Sequence, residues 1–201
     1  MSESLPTVYL CRHGETPWSP VARHSGRKDL PLTEAGEEQA RLLGERLRGL
    51  EFARAYTSPL SRARRTCELA GFDSPEVFDE LMEWDYGDYQ GLTAVEVRER
   101  NPSWFLFRDG CPGGETLADV AARARVMVDR LSATTGRSIV FAHGHLLRIL
   151  AVLWLRLEPD AARLLLLKPA SISILAFEHD RREEPIIKLW NDRSHLDGDL
   201  T

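Results

Sequence analysis

Five short apolar runs, at 8–11, 53–57, 138–142, 172–177 and 186–190, are separated by longer stretches in which apolar residues recur at helical spacing. The runs are too short for helices. The first is apolar enough to lie centrally in a sheet, covered on both faces. After it, PLTEAGEEQARLLGERLRGL carries Ala40, Leu43, Leu47 and Leu50 on one face, with Thr33 as N-cap, acids in the first turn and Gly49 as a stop. Residues 60–70 align Leu60, Ala63, Cys67 and Ala70 before Gly71. TAVEVRERNP predicts a short helix ended by Pro102. Residues 115–132 predict a long amphipathic helix on Leu117, Val120, Ala121, Ala124, Val128 and Leu131, entered through PGG. A buried helix follows His145, and Pro159 starts a last one over 160–167. Strands alternating with helices of this length predict an α/β fold, a mainly parallel sheet covered on both faces.

The 201 residues suit one domain spanning 1–201 with a sizeable core. A net charge of -5 gives no general attraction to nucleic acid or anionic membrane, so any anion site must be a local basic pocket. Cys11, Cys67 and Cys111 are odd in number and show no paired spacing, which points to a reducing compartment. MSESLPT has neither the basic start nor the apolar stretch of a signal peptide, and the apolar run 146–157 contains Arg148 and Arg156. It is also well short of the roughly 20 residues a membrane span needs. A cytoplasmic protein is expected, with oligomeric state, a homodimer included, left open.

In parallel sheets, ligands sit outside the carboxyl ends of the strands. Arg12 and His13, Arg62, and His143 follow the ends of three predicted strands, so one crevice collects them. Two Arg and two His repel one another unless an anion is bound. A phosphoryl group fits, since its oxygens accept from Arg forks, imidazole N–H and helix N-termini. Arg62 stands near the start of one helix and His143 just before another, and a glycine after each His lets backbone approach a ligand. One His can attack phosphorus while the other donates to an equatorial oxygen, the Arg charges keeping His13 unprotonated. The leaving alkoxide needs an acid. Glu83, in LMEWDYGDYQG, has apolar and aromatic neighbours that would desolvate it and raise its pKa.

Other chemistries are less well served. A thiol phosphatase loop built on Cys11 needs Arg at position 17, where Pro17 stands. No GxxxxGK[ST] motif occurs. His143, His145 and Asp85 lack the further ligands of a catalytic metal site, so His145 is expected to be structural or supporting, and neither metal nor cofactor is expected.

LCRHGETPW, TSPLSRARRT, EWDYGDYQGLT and FAHGHLLR, in this order, resemble the histidine phosphatase (phosphoglycerate mutase-like) superfamily over most of the chain. The resemblance implies a three-layer α/β/α sandwich with His13 as nucleophile, Arg12, Arg62 and His143 around the phosphoryl group and Glu83 as acid, then base. It places Ser19, where many members carry Asn, together with Ser25, Gly26 and Gly144, at the ligand. EWDYG in place of the mutases' ERHYG, and a short segment between Glu83 and His143, favour hydrolysis over a mutase reaction. GETPWS, RKDLPLT, RDGCPGGET and AHGHLLR resemble small bacterial acid phosphatases and, more loosely, the fungal sedoheptulose bisphosphatase. The expected activity is metal-independent hydrolysis of a small phosphorylated metabolite, with sugar phosphates or bisphosphates favoured. A mutase-type phosphotransferase and a non-catalytic phospho-ligand binder are the alternatives.

Overall fold

The computed structural model describes residues 5–196. Met1 to Ser4, part of the segment read for a signal peptide, and the last residues of the span 1–201 lie outside them. The strands are β1 (Thr7–Arg12), β2 (Arg54–Thr57), β3 (Glu76–Val77), β4 (Arg137–Ala142), β5 (Ile172–Phe177) and β6 (Pro185–Asp192). The helices are α1 (Glu34–Leu47), α2 (Ser61–Leu69), α3 (Ala94–Arg100), α4 (Leu106–Asp109), α5 (Leu117–Ala133) and α6 (Gly144–Trp154). The sheet order is β3-β2-β4-β1-β5-β6. The first four strands of that order are parallel, and β5 and β6 join antiparallel at the far edge.

The two-residue period of the strands divides the core. Val8 and Leu10 of β1, with Val140 and Ala142 of β4, face the layer containing α5 and α6. Cys11, Ile139 and Phe141 face Leu43, Leu47, Cys67 and Ala70 of α1 and α2. The result is the expected three-layer α/β/α sandwich around a mixed, mainly parallel sheet. Because β1 and β4 are apolar on both sides, they take the middle of the sheet, where both faces are covered.

Several boundaries differ from the sequence reading. The apolar helix does not begin after His145: α6 starts at Gly144, with His143 at its N-cap and His145 in its first turn. Thr116 and Asp119 form a capping box that starts α5 at Leu117, which leaves Glu115 outside the helix. The helix expected over 160–167 is a 3₁₀ helix, Pro159–Leu164, followed by extended Leu165. Its outer residues Leu164 and Leu166 are exposed, so this segment presents no apolar face that would carry an α-helix onward. Beside two 3₁₀ turns, Asp79–Leu81 and Gly87–Tyr89, a strand and a helix were not foreseen. β3 is an exposed two-residue edge strand with no apolar pattern, and α4 is a single short turn. Among the described residues no helix is long and apolar enough to cross a membrane.

Leu131 is fully buried at the end of α5 and far in sequence from every candidate site residue. Leu131→Ala is expected to cost about 2–5 kcal/mol of stability, read from urea unfolding, with the kinetic constants of the folded fraction unchanged.

Candidate active site

The sheet register brings the site together. Arg12 pairs with Ala142 and Thr57 with Phe141, so β1, β2 and β4 end level with one another. The ladder then runs one residue further on each side, through His13 N–H to Ala142 O and Ser58 N–H to Phe141 O, both at 3.0 Å. His13, Ser58 and His143 are thereby fixed at adjacent strand ends. The His13 and His143 rings lie 5.1 Å apart between centroids.

Each group has a defined partner. His13 Nδ1 lies 2.7 Å from the Gly14 carbonyl. A carbonyl oxygen only accepts, so Nδ1 carries the proton and Nε2 keeps its lone pair. Burial holds His13 unprotonated, its pKa well below the ordinary histidine value, and the Arg62 and Arg12 charges act in the same direction. Burial, and not the arginine charge expected from sequence, is the larger cause. His143 is fully buried and also held neutral by burial and Arg62, with Nε2 2.8 Å from Ser58 Oγ. Arg62 donates to Lys28 O at 2.9 Å and Gly26 O at 2.7 Å, and Arg12 donates to Leu167 O. Arg12 Nε, Arg62 Nε and His143 Nδ1 are buried without a protein partner.

Glu83 is 7% exposed and not a solvated surface charge. Its carboxylate accepts from the backbone N–H of Trp84 at 3.0 Å, Leu146 at 3.1 Å and His145 at 3.2 Å, the last two in the first turn of α6. Arg123 on α5 holds the loop behind it, donating to the carbonyls of Glu80, Met82 and Glu83 while Nε meets Glu115 Oε1 at 2.8 Å. Glu115 in turn accepts from Asp85 N–H at 2.8 Å.

A cavity of about 330 Å³ is lined by Arg12, His13, Arg62, Glu83, Ser19, Ser25 and Gly144 among the residues expected from sequence. His143 and Gly26 do not line it. Gly26, at φ +52°, instead gives its carbonyl to Arg62. Ser19 Oγ also closes the turn by accepting from Thr16 N–H at 3.0 Å. The glycines after the two histidines also answer to packing. A Cβ on Gly14 would stand 2.3 Å from Gly36 O, and one on Gly144 would press the Arg12 guanidinium at 3.3 Å. Gly14 lets the His13 loop touch α1, and Gly144 makes room for Arg12.

The sequence reading gave no role to Arg23, His24, Tyr86 or Arg148, which share the cavity. Tyr86 and Arg148 stand inside quoted motifs, which was the one available signal. His145 lines the cavity too, with Nδ1 2.6 Å from the Tyr86 hydroxyl. Asp85 does not line it, and pairs with Arg27 at 3.6 Å. Among the described residues one group could offer metal ligands, Glu178, His179 and Glu184 in the β5–β6 turn, remote from His143, His145 and Asp85 in sequence. None of the three lines the cavity, and His179 is paired with Glu184 at 2.7 Å.

An α/β sandwich with two neutral histidines and two arginines gathered at its strand ends has the groups to bind and transfer a phosphoryl group. The histidine phosphatase superfamily (branch 1) matches residues 8–193. An acid phosphatase of Mycobacterium tuberculosis is 39% identical over 186 residues, 90% of this chain and 92% of that protein. Sedoheptulose 1,7-bisphosphatase of Saccharomyces cerevisiae is 35% identical over 187 residues, 77% of this chain and 69% of that protein. The solved structure of a Mycobacterium tuberculosis open-reading-frame product superposes with a TM-score of 0.86 at 35% identity, covering 92% of this chain and 97% of that one. The chain belongs to the histidine phosphatase superfamily, in its phosphoglycerate mutase-like branch, and is a hydrolase of the histidine phosphatase type.

Neutral burial of His13, His143 and His145 sets a pH dependence of stability. Their folded pKa values lie below the unfolded value, so between the two the unfolded chain binds more protons. Stability is therefore expected to fall as pH drops below about 6.5, by up to roughly 1.4 kcal/mol per pH unit for each histidine. Urea unfolding in phosphate-free buffer from pH 7.5 to 5.5 checks this, and a flat profile would contradict it.

Proposed function

We propose that the protein hydrolyses monoesters of small phosphorylated metabolites, sugar phosphates or bisphosphates above all, through a phosphohistidine on His13. The observation that carries this reading is the His13 Nδ1–H bond to Gly14 O, which leaves Nε2 as a buried, unprotonated nucleophile beside Arg12 and Arg62. In the first step Nε2 attacks phosphorus and the P–O ester bond breaks. The leaving alkoxide takes a proton from the Glu83 carboxyl. His143, behind the cavity wall, supports the developing charge in the tautomer that this reading requires, Nδ1–H donating to the phosphoryl group while Nε2, 2.8 Å from Ser58 Oγ, accepts from that hydroxyl. In the second step Glu83 takes a proton from water, the water oxygen attacks phosphorus and the P–N bond breaks, giving inorganic phosphate and neutral His13. Phosphate charge is met by Arg12 and Arg62, so no metal is required.

Two features favour a substrate with a second anionic group. Arg148 adds a cation to Arg12, Arg62 and the Glu96-paired Arg23 of the cavity, its Nε anchored on Ala162 O at 2.9 Å. The Saccharomyces cerevisiae relative is named for a bisphosphate. The cavity of about 330 Å³ is at the small end of ligand sites, which suits a sugar phosphate better than a phosphopeptide.

Hydrolysis is expected to persist in excess chelator, and His13→Ala to abolish it in a folded protein. Glu83→Gln separates the roles further. Single-turnover phosphorylation of His13 should be slowed much more with a sugar phosphate, whose alkoxide leaves poorly, than with an aryl phosphate. Equal slowing would make Glu83 a structural or substrate-positioning group. Rapid transfer from phosphorylated His13 to a phosphoglycerate in preference to water would replace hydrolysis by a mutase reaction.

A further inference from the structure

The segment before β5 has no regular structure, yet almost every residue of it is bonded. Trp190 Nε1 donates to Leu166 O at 2.6 Å, Arg12 Nη1 donates to Leu167 O, and Lys168 N–H donates to Asn191 Oδ1 at 2.7 Å. Ala170 N–H then donates to His13 O at 3.0 Å, and Ser171 O accepts from Arg12 N–H at 3.2 Å. Two successive peptide groups are thus pinned, that between Leu166 and Leu167 by Trp190, and that between Leu167 and Lys168 at its carbonyl by the Arg12 guanidinium and at its N–H by Asn191.

We infer that Trp190 and Asn191, at the carboxyl end of β6, are positioning residues for Arg12. Among the described residues the Leu167 carbonyl is the one acceptor of the Arg12 guanidinium. A carbonyl in an irregular loop is only as fixed as its neighbours on either side. Here β6 fixes the preceding carbonyl, through Trp190, and the N–H of the same peptide, through Asn191. Asn191 is itself held in a left-handed conformation, φ +56°, which Asn tolerates better than most residues, and its N–H donates at 3.0 Å to Oγ of Ser173, buried on β5. β5 pairs Ser173 with Leu10 of β1, the strand that ends in Arg12. The connection closes on itself, from β1 through β5, Asn191 and the loop back to the Arg12 side chain. On its other side the guanidinium meets Gly144, where even a Cβ would be tight. The Arg12 fork is set between a wall and a clamped acceptor, which a long side chain with four rotatable bonds otherwise lacks.

The inference rests on Arg12 holding the phosphoryl group, and competitive inhibition by inorganic phosphate against an aryl phosphate tests both. Asn191→Gly keeps the left-handed backbone and removes the acceptor. Asn191→Asp restores an acceptor. Trp190→Phe keeps an aromatic ring and removes the N–H. Loss of one neutral hydrogen bond corresponds to about a fivefold change, so Asn191→Gly is expected to raise the phosphate inhibition constant about fivefold, with Trp190→Phe in the same direction and Asn191→Asp within about twofold of wild type. An inhibition constant does not depend on how much enzyme is folded, so a merely structural role would lower Tm and leave it unmoved. Unchanged constants in both Asn191→Gly and Trp190→Phe, where Arg12→Ala raises the constant, overturn this inference alone. An unchanged constant in Arg12→Ala removes the reading of Arg12 beneath it.

Discussion

Arg12 and Arg62 are oriented by peptide carbonyls, not by carboxylates. Arg62 is fixed by Gly26 O and Lys28 O, and Arg12 by Leu167 O. A carbonyl directs a guanidinium without cancelling its charge, so both cations remain available to an anion. Two other arginines show the opposite arrangement: Arg123 is matched by Glu115, and Arg23, on the cavity wall, by Glu96. The cost of gathering uncompensated charge in a site this buried falls on the histidines, which stay neutral. That neutrality is also what nucleophilic attack by His13 requires.

Glu83 is the one carboxylate among the cavity's lining residues. It is bound only through backbone N–H groups, two of them from the start of α6, and so is placed without an ion-pair partner on its own oxygens. Its loop is secured at a distance, by Arg123 and Glu115, which leaves the carboxyl oxygens facing the site while their supporting peptide is rigid. Acid and cations are therefore held by separate sets of backbone contacts, and neither set neutralises the other.

The sheet and its two layers were legible in the sequence because period and length distinguish 8–11 or 138–142 from the helices around them. Arg12, His13, Arg62 and His143 were legible as candidates because strand ends in an α/β fold converge, and Glu83 because apolar and aromatic residues surround it in LMEWDYGDYQG. What could not be read were contacts made by backbone groups far apart in sequence. Gly14 looks like a ligand-binding glycine until α1 is seen against it, and the reason for Gly36 lies in the same contact. Arg123 reads as one more polar position on an amphipathic helix, although it carries the Glu83 loop. Asn191 and Trp190 read as the end of a last strand, since nothing in their spacing reports a carbonyl two dozen residues earlier. The start of α6 was misplaced by the apolar run, which begins only at Leu146, whereas the helix begins with Gly144.

The proposed hydrolysis depends on attack by His13 through Nε2, with the proton held on Nδ1 by the Gly14 carbonyl. Acid-free quenching of the phosphoenzyme, followed by assignment of the phosphoryl position by phosphorus–proton NMR of the isolated peptide, tests it most directly. The account predicts a phosphoryl group on Nε2 of His13. A phosphoryl group on Nδ1 of His13, or on His143, would contradict it.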